Sequence, residues 1–98
     1  MRAVRWSRDA LDDIKNQIAY IAANNPDAAR RVADKLRETG ATLGKRAIGR
    51  TGRISGTYEK SVSGLPYVIV YDIRAKADQE VVSILRVIHT ARDWPGMK

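Results

Sequence analysis

The side chains that could do chemistry in this 98-residue chain are few. Metal-free cleavage of a phosphodiester needs a general base, a general acid and a cation that stabilises the transition state. Glu59 and the single histidine, His89, are the candidates for base and acid, and the cation could come from Arg53, Arg86 or Arg92. Cysteine is absent, which excludes thiolate chemistry, and one histidine is too few for a typical structural zinc site. We therefore expect no metal and no cofactor.

The stretch 80–89, near the end of the chain, carries two of these groups, Arg86 and His89. Its apolar residues fall on both faces, which predicts a strand buried in the middle of a sheet. His89 closes this strand, and a histidine at a strand end more often packs or caps a backbone group than it catalyses. If a loop over 75–79 pairs Arg74 with Glu80, His89 lies opposite Leu65.

Glu59 is predicted to lie far from His89 in the sheet. Pairing Val62 with Pro66 sets Glu59 opposite Ile69, on the same face as His89 but two strands away, at a distance of roughly 15 Å. A base, an acid and a cation therefore do not come together well. We favour a protein that is not an enzyme, in which Glu59 is most simply a charge on an edge strand.

The first half of the chain predicts a strand followed by two amphipathic helices. Ala3–Trp6 is short and apolar enough for an opening strand. Ser7 is expected to cap a helix over residues 8 to about 23, and Asn25 a second helix that ends near Gly44. Because the connection between the helices is short, they should form an antiparallel hairpin.

The second half predicts three antiparallel strands. Residues 45–56, rich in Gly and Arg, are expected to form a surface loop, and 57–62 a weak, polar strand at the sheet edge. Strong strands are expected over 66–74 and 80–89. The expected fold class is α+β: one domain, 1–98, with the order β-α-α-β-β-β and a helix hairpin packed on a mainly antiparallel sheet.

The net charge of +7 points to an anionic partner. The excess of basic residues lies after Gly40, chiefly in Lys45, Arg46, Arg50 and Arg53. Such a bias suits nucleic acid or an acidic protein, although solvation of a small protein explains it equally well. No apolar run approaches the ~20 residues that cross a bilayer, and the N-terminus lacks the apolar stretch of a signal peptide. We expect a cytoplasmic protein without a membrane partner.

Several segments, taken with this order of elements, resemble one known family. They are Trp6, NPDAA at 25–29, GTYE at 56–59, PYVIVY at 66–71 and ILRVIHTARDWP at 84–95. Together they resemble the ParE branch of the RelE/ParE toxin superfamily, and the resemblance covers nearly the whole chain. The ending, a strand followed by H-x-A-R-D-W-P, is its most specific part.

The resemblance implies the toxin half of a type II toxin–antitoxin pair of the plasmid-stabilisation kind, neutralised by direct binding of a cognate antitoxin. ParE-type toxins trap DNA gyrase on cleaved DNA, whereas RelE-type relatives cleave mRNA on the ribosome, and one fold hosts both activities. In the YoeB type of nuclease a His-Tyr pair ends the chain. Here Thr90 follows His89, so that pattern is incomplete. A degenerate member that only binds its antitoxin is a third alternative.

The contact candidates for gyrase, a gyrase–DNA complex or other nucleic acid are chosen by charge, aromatic character and expected exposure. They are Arg50, Arg53, Arg92 and Trp94.

The antitoxin candidates come from a predicted division of the sheet into two faces. The face expected to pack on the helices carries Tyr67, Ile69, Tyr71, Leu85 and Val87. The other face is expected to be partly open, with basic residues at its rim, and a partner could cover it. Its candidates for antitoxin binding are Lys60, Val68, Val70, Val82, Ile84 and Arg86.

Overall fold

The computed structural model describes residues 2–46 and 49–91. Its elements are β1 (Ala3–Trp6), α1 (Arg8–Ala22), α2 (Pro26–Lys45), β2 (Arg50–Thr51), β3 (Tyr58–Ser61), β4 (Tyr67–Lys76) and β5 (Gln79–His89). The strands form one sheet in the order β1-β5-β4-β3-β2, in which β1 runs parallel to β5 and the other neighbours are antiparallel. The α1–α2 hairpin covers one face of this sheet. The predicted α+β class is confirmed, and the predicted elements occur in the expected order, with β2 as an additional strand.

Both helices begin where the sequence places their caps. The Ser7 hydroxyl accepts a hydrogen bond from the Ala10 N–H at 3.0 Å, and the Asn25 side chain accepts one from the Ala28 N–H at 3.0 Å. Pro26 opens α2, where its missing N–H has no partner to lose. Local sequence therefore fixes the start of each helix.

The connection between α2 and β3 is more ordered than predicted. Within the expected loop, β2 pairs Arg50 with Glu59 and Thr51 with Tyr58. The prediction that residues 57–62 form the sheet edge is therefore wrong for Tyr58 and Glu59. A two-residue strand carries too little pattern to be recognised in a Gly-rich sequence.

The turn between β4 and β5 is shorter than the predicted loop over 75–79. Pairing continues to Lys76 opposite Gln79, so only Ala77 and Asp78 form the turn. Both have positive φ angles, 50° and 68°, which is the conformation of the two-residue turns that suit twisted hairpins. Ala-Asp is not the usual sequence for such a turn, which is why the sequence did not reveal it.

A β-bulge in β5 changes the predicted register. Val70 lies opposite Arg86 and Tyr71 opposite Ile84, which leaves Leu85 as the extra residue. The turn adds a shift of one residue, since Arg74 pairs with Val81 instead of Glu80, and the two shifts together place His89 opposite Tyr67 instead of Leu65. A separate slip of one residue between β3 and β4 places Glu59 opposite Val70 instead of Ile69. Each one-residue slip moves side chains to the other face.

The core between sheet and helices confirms part of the predicted division of faces. Tyr67, Ile69, Tyr71 and Val87 belong to this core, as predicted. Two further residues, Val82 and Ile84, were expected on the other face and are fully buried here. The bulge is the physical reason. Its extra residue shifts the alternation of β5, so that Val82 and Ile84, before Leu85, share a face with Val87, after it.

The face of the sheet away from the helices, which we call the outer face, is not open at its centre. Val68, Val70 and Ile88 form a second cluster there, and each is 3% exposed or less. The prediction of a partly open aliphatic patch is therefore wrong. Leu85, expected in the main core, is half-buried beside the outer-face residue Ser83.

Helix α2 approaches the sheet closely at Gly40. A Cβ at this position would overlap the Trp6 ring and lie 3.1 Å from Ile84 Cδ1. We expect Gly40→Ala to destabilise the fold by about 1–3 kcal/mol through overpacking, measured by urea unfolding. In a helix position with free space the same change is stabilising by about 1 kcal/mol, so a stabilised variant would contradict this packing.

Candidate functional site

Glu59 is a buried structural group. It is 2% exposed, its Oε2 accepts the Arg53 backbone N–H at 2.9 Å, and its Oε1 lies 3.2 Å from the Arg50 guanidinium. A buried carboxylate is tolerated when it is paired and hydrogen-bonded in this way. Glu59 therefore braces the β2–β3 hairpin, and it is not the edge-strand charge expected from sequence.

The hairpin that Glu59 braces displays the two arginines proposed as gyrase contacts. The Gly52 N–H donates to the Thr57 carbonyl at 2.8 Å, and the Thr57 hydroxyl donates to the Ile54 carbonyl at 2.7 Å. Arg50 and Arg53 are exposed, and Ile54 at the tip is 58% exposed. The segment predicted as an irregular surface loop is thus a hydrogen-bonded hairpin with exposed basic and apolar side chains.

His89 caps the end of β5. Its Nδ1 accepts the Ala91 N–H at 3.2 Å, and its ring meets the Tyr67 ring edge-on at 5.3 Å between centroids. An Nδ1 that accepts a hydrogen bond carries no proton, and its lone pair is occupied. The geometry matches the capping and packing role that the sequence favours over catalysis.

Arg86 is held by an aspartate of α1. Its Nε and Nη2 donate to the two carboxylate oxygens of Asp13 at 2.7 and 2.9 Å. Asp13 also accepts the Val87 backbone N–H at 2.9 Å. Such a two-point ion pair fixes the guanidinium, so Arg86 is committed to joining α1 to β5.

The candidate base and the candidate acid for RNA cleavage do not come together. Glu59 lies opposite Val70 on the outer face, whereas His89 lies opposite Tyr67 on the face that packs on the helices. The prediction that they share a face is wrong. The thickness of the sheet separates the candidate base from the candidate acid. Two further candidates, Arg92 and Trp94, lie outside the described residues.

The predicted antitoxin patch also does not form. Val68, Val70, Val82 and Ile84 are at most 3% exposed, so their side chains offer no accessible surface. The predicted rim residues fall on different faces: Lys60 lies opposite Ile69 of the main core, and Arg86 opposite Val70 of the outer face. A docking surface has to be sought elsewhere.

Two grooves that the sequence did not reveal lie on opposite sides of the sheet. The outer groove, about 440 Å³, runs between the end of β1 and the far arm of the β4–β5 hairpin. The helix-side groove, about 370 Å³, lies between α2 and the β3–β4 turn. Their main lining residues are Arg5, Arg74, Lys76, Ser83 and Leu85 for the first and Ala28, Arg31, Val32, Lys35 and Leu65 for the second. Both depend on how distant segments meet, which periodicity does not encode.

The described residues contain no group of three or more His, Asp or Glu side chains placed to hold a metal ion. Within the same part of the chain, no helix has the length and apolar character needed to cross a membrane.

Comparison with known proteins decides the family. The sequence matches the family described as "ParE toxin of type II toxin-antitoxin system, parDE" over residues 4–94. The chain belongs to the ParE toxins. A relative in Sinorhizobium fredii (strain NBRC 101917 / NGR234), named "Putative toxin Y4kP", is 36% identical over 95 residues, which cover 96% of this chain and 94% of the relative. Membership in this family implies an antitoxin partner.

Solved structures of similar proteins show the same ParE-type fold. One, described as "Chromosomal ParDE TA system from P. aeruginosa", matches with a TM-score of 0.81 at 19% identity and covers 91% of this chain and 96% of its own. Another, "YoeB/ParE toxin from Agrobacterium tumefaciens", matches with a TM-score of 0.60 at 11% identity and covers 89% and 97%. At these identities the likeness shows the fold alone.

Tyr71 gives this ParE toxin a testable pH dependence. Burial raises the pKa of the Tyr71 phenol above its usual 10.0; the neighbouring Tyr58 adds to the rise and Arg2 opposes it. The unfolded chain releases this proton at the ordinary pKa, so the stability due to the buried neutral phenol is complete below pH 10.0 and lost as pH rises above it. We expect the urea midpoint of the wild type to fall over this range.

Tyr71→Phe is the matched control, because it keeps the ring stacked on Tyr58 and removes the proton. Its urea midpoint should fall less than that of the wild type over the same pH range, since every other titrating group is unchanged. Parallel curves for the two proteins would show that Tyr71 titrates alike in the folded and unfolded states.

Proposed function

We propose that this ParE toxin traps DNA gyrase on cleaved DNA and is held inactive by direct binding of its cognate antitoxin. The observation that carries the proposal is that the candidate base, Glu59, and the candidate acid, His89, lie on opposite faces of the sheet, and that both of them and Arg86 are held by structural contacts. Glu59 is bound by Arg50 and by the Arg53 N–H, Arg86 by Asp13, and the Nδ1 of His89 by the Ala91 N–H. A gyrase poison needs a binding surface only. Because gyrase acts in the cytoplasm, the function also agrees with the predicted location.

The braced β2–β3 hairpin is our first candidate for the gyrase contact. Arg50 and Arg53 extend from a hairpin held by Glu59 and Thr57, so little conformational entropy is lost when a partner binds it. Arg92 and Trp94 stay predictions for the same contact.

The deciding assay adds the purified chain to gyrase, plasmid DNA and ATP and scores linearised plasmid after protein removal. A parallel cell-free translation reaction is probed for cut mRNA. We expect trapped plasmid and intact mRNA. His89→Ala should trap plasmid as well as the wild type, because the histidine caps a strand and transfers no proton.

Arg53→Ala should lower the trapping potency by about fivefold or more if Arg53 is a central contact. Arg30→Ala, which removes an exposed arginine from α2, is the matched control and should keep wild-type potency. Cut mRNA with untouched plasmid, abolished by His89→Ala, would replace this proposal with the RelE-type nuclease. If neither linearised plasmid nor cut mRNA is formed, the chain is a family member that only binds its antitoxin.

A further inference from the structure

The outer groove is a cationic cleft that none of the predicted contacts includes. It lies where the far arm of the β4–β5 hairpin faces the end of β1. Arg5 lies opposite Ser83 on one side, and Arg74 and Lys76 come from β4 on the other. Val81 and Leu85 form an apolar floor between them. The groove therefore joins positive rims to an apolar base.

The charges of this groove are only partly neutralised by the protein itself. Arg74 donates to both oxygens of Asp72 at 3.1 Å, so its charge is matched. Glu80, near the turn, is bound at 2.7 Å by Arg2, which lies outside the groove. Arg5 and Lys76 have no acidic partner among the described residues. Two cations on facing rims are thus left for an anionic ligand.

The chemistry of the groove favours a peptide over a nucleic acid. Its one aromatic residue, Trp6, packs its ring against Gly40 and Ile84 in the core, so the ring offers no platform for a base. A phosphate backbone offers no apolar group that could pack on the floor formed by Val81 and Leu85, whereas an aliphatic side chain of a peptide can do so. Arg5, opposite Ser83, and Lys76, opposite Gln79, follow Leu85 in that order along the groove, so carboxylates further along the peptide would reach both cations.

We propose that the outer groove binds an acidic segment of the antitoxin, with an aliphatic side chain on Leu85 and carboxylates at Arg5 and Lys76. This inference rests on the proposed antitoxin partnership and specifies its surface. The Ser83 hydroxyl on the groove floor lies beside Arg5 and supplies a further donor for a carboxylate. The segment would run between β1 and the arm of the hairpin, on the opposite side of the sheet from α2.

The test measures affinity for the antitoxin co-expressed with this chain from its own locus and then purified. The outer-groove variant is Arg5→Glu with Lys76→Glu. The control variant, Arg31→Glu with Lys35→Glu, makes the same change of net charge in the helix-side groove. We expect the first to weaken binding by about tenfold or more, because like charges then face each other. The control should stay within about twofold, since its charges are remote from the contact.

Circular dichroism checks that each variant is folded. Arg5→Gln with Lys76→Gln, which removes charge without reversing it, should give an intermediate loss and replaces the reversal if that variant does not fold. Equal loss in both charge-reversal variants, or loss in the control alone, would overturn the assignment.

Two further outcomes separate the inference from the function on which it rests. A wild-type chain that binds no antitoxin contradicts the proposed partnership itself, and the inference falls with it. Binding of a short DNA duplex by the wild type, measured by fluorescence anisotropy, tests the competing ligand. If the outer-groove variant loses that DNA binding and keeps its antitoxin affinity, the groove is a nucleic-acid site and the peptide assignment is wrong.

Discussion

The Asp13 carboxylate is the contact on which the assembly of the two layers depends. β1 pairs with β5 only as far as Ile84, so the backbone of β5 beyond that point needs other partners. The N-terminal part of α1 supplies them. Ser7 donates its N–H to the Ile84 carbonyl at 2.9 Å and its hydroxyl to the Leu85 carbonyl at 2.9 Å. Asp13 then accepts the Val87 N–H and the Arg86 guanidinium. A helix thus closes a strand edge that would otherwise be open to pairing.

The bulge at Leu85 decides which residues reach which face. Before the bulge, Val82 and Ile84 point into the core, and after it Val87 does. The extra residue, Leu85, lies in the outer groove, and Arg86 directly after it reaches Asp13. One inserted residue therefore creates both the apolar floor of the proposed binding groove and the link between the layers. A separate slip between β3 and β4 places Glu59 on the opposite face of the sheet from His89.

Patterns within short stretches of the sequence predicted the helices and strands. The features that were missed depend on contacts between distant parts of the chain. Ser7 and Asn25 mark the helix starts because capping involves residues three apart in the chain. The bulge and the Ala77–Asp78 turn leave no such local mark, so the register and the faces assigned to Val82, Ile84 and Leu85 were wrong. For the same reason Glu59 looked like an exposed edge charge, since its partners depend on a two-residue strand. The outer groove and the role of Asp13 needed contacts across more than seventy residues of sequence.

Glu59 and Arg86 are held in structural contacts of this sheet, and the Asp13–Arg86 pair tests that role most directly. Urea unfolding of the wild type, Asp13→Ala, Arg86→Ala and the double variant gives their coupling free energy. The structure predicts a favourable coupling of about 1–3 kcal/mol, because the two groups share a partly buried bidentate ion pair. Additive losses, with no coupling, would mean that Arg86 is not committed to Asp13. Its guanidinium would then be available for phosphate chemistry, and an architectural role for Arg86 would be contradicted.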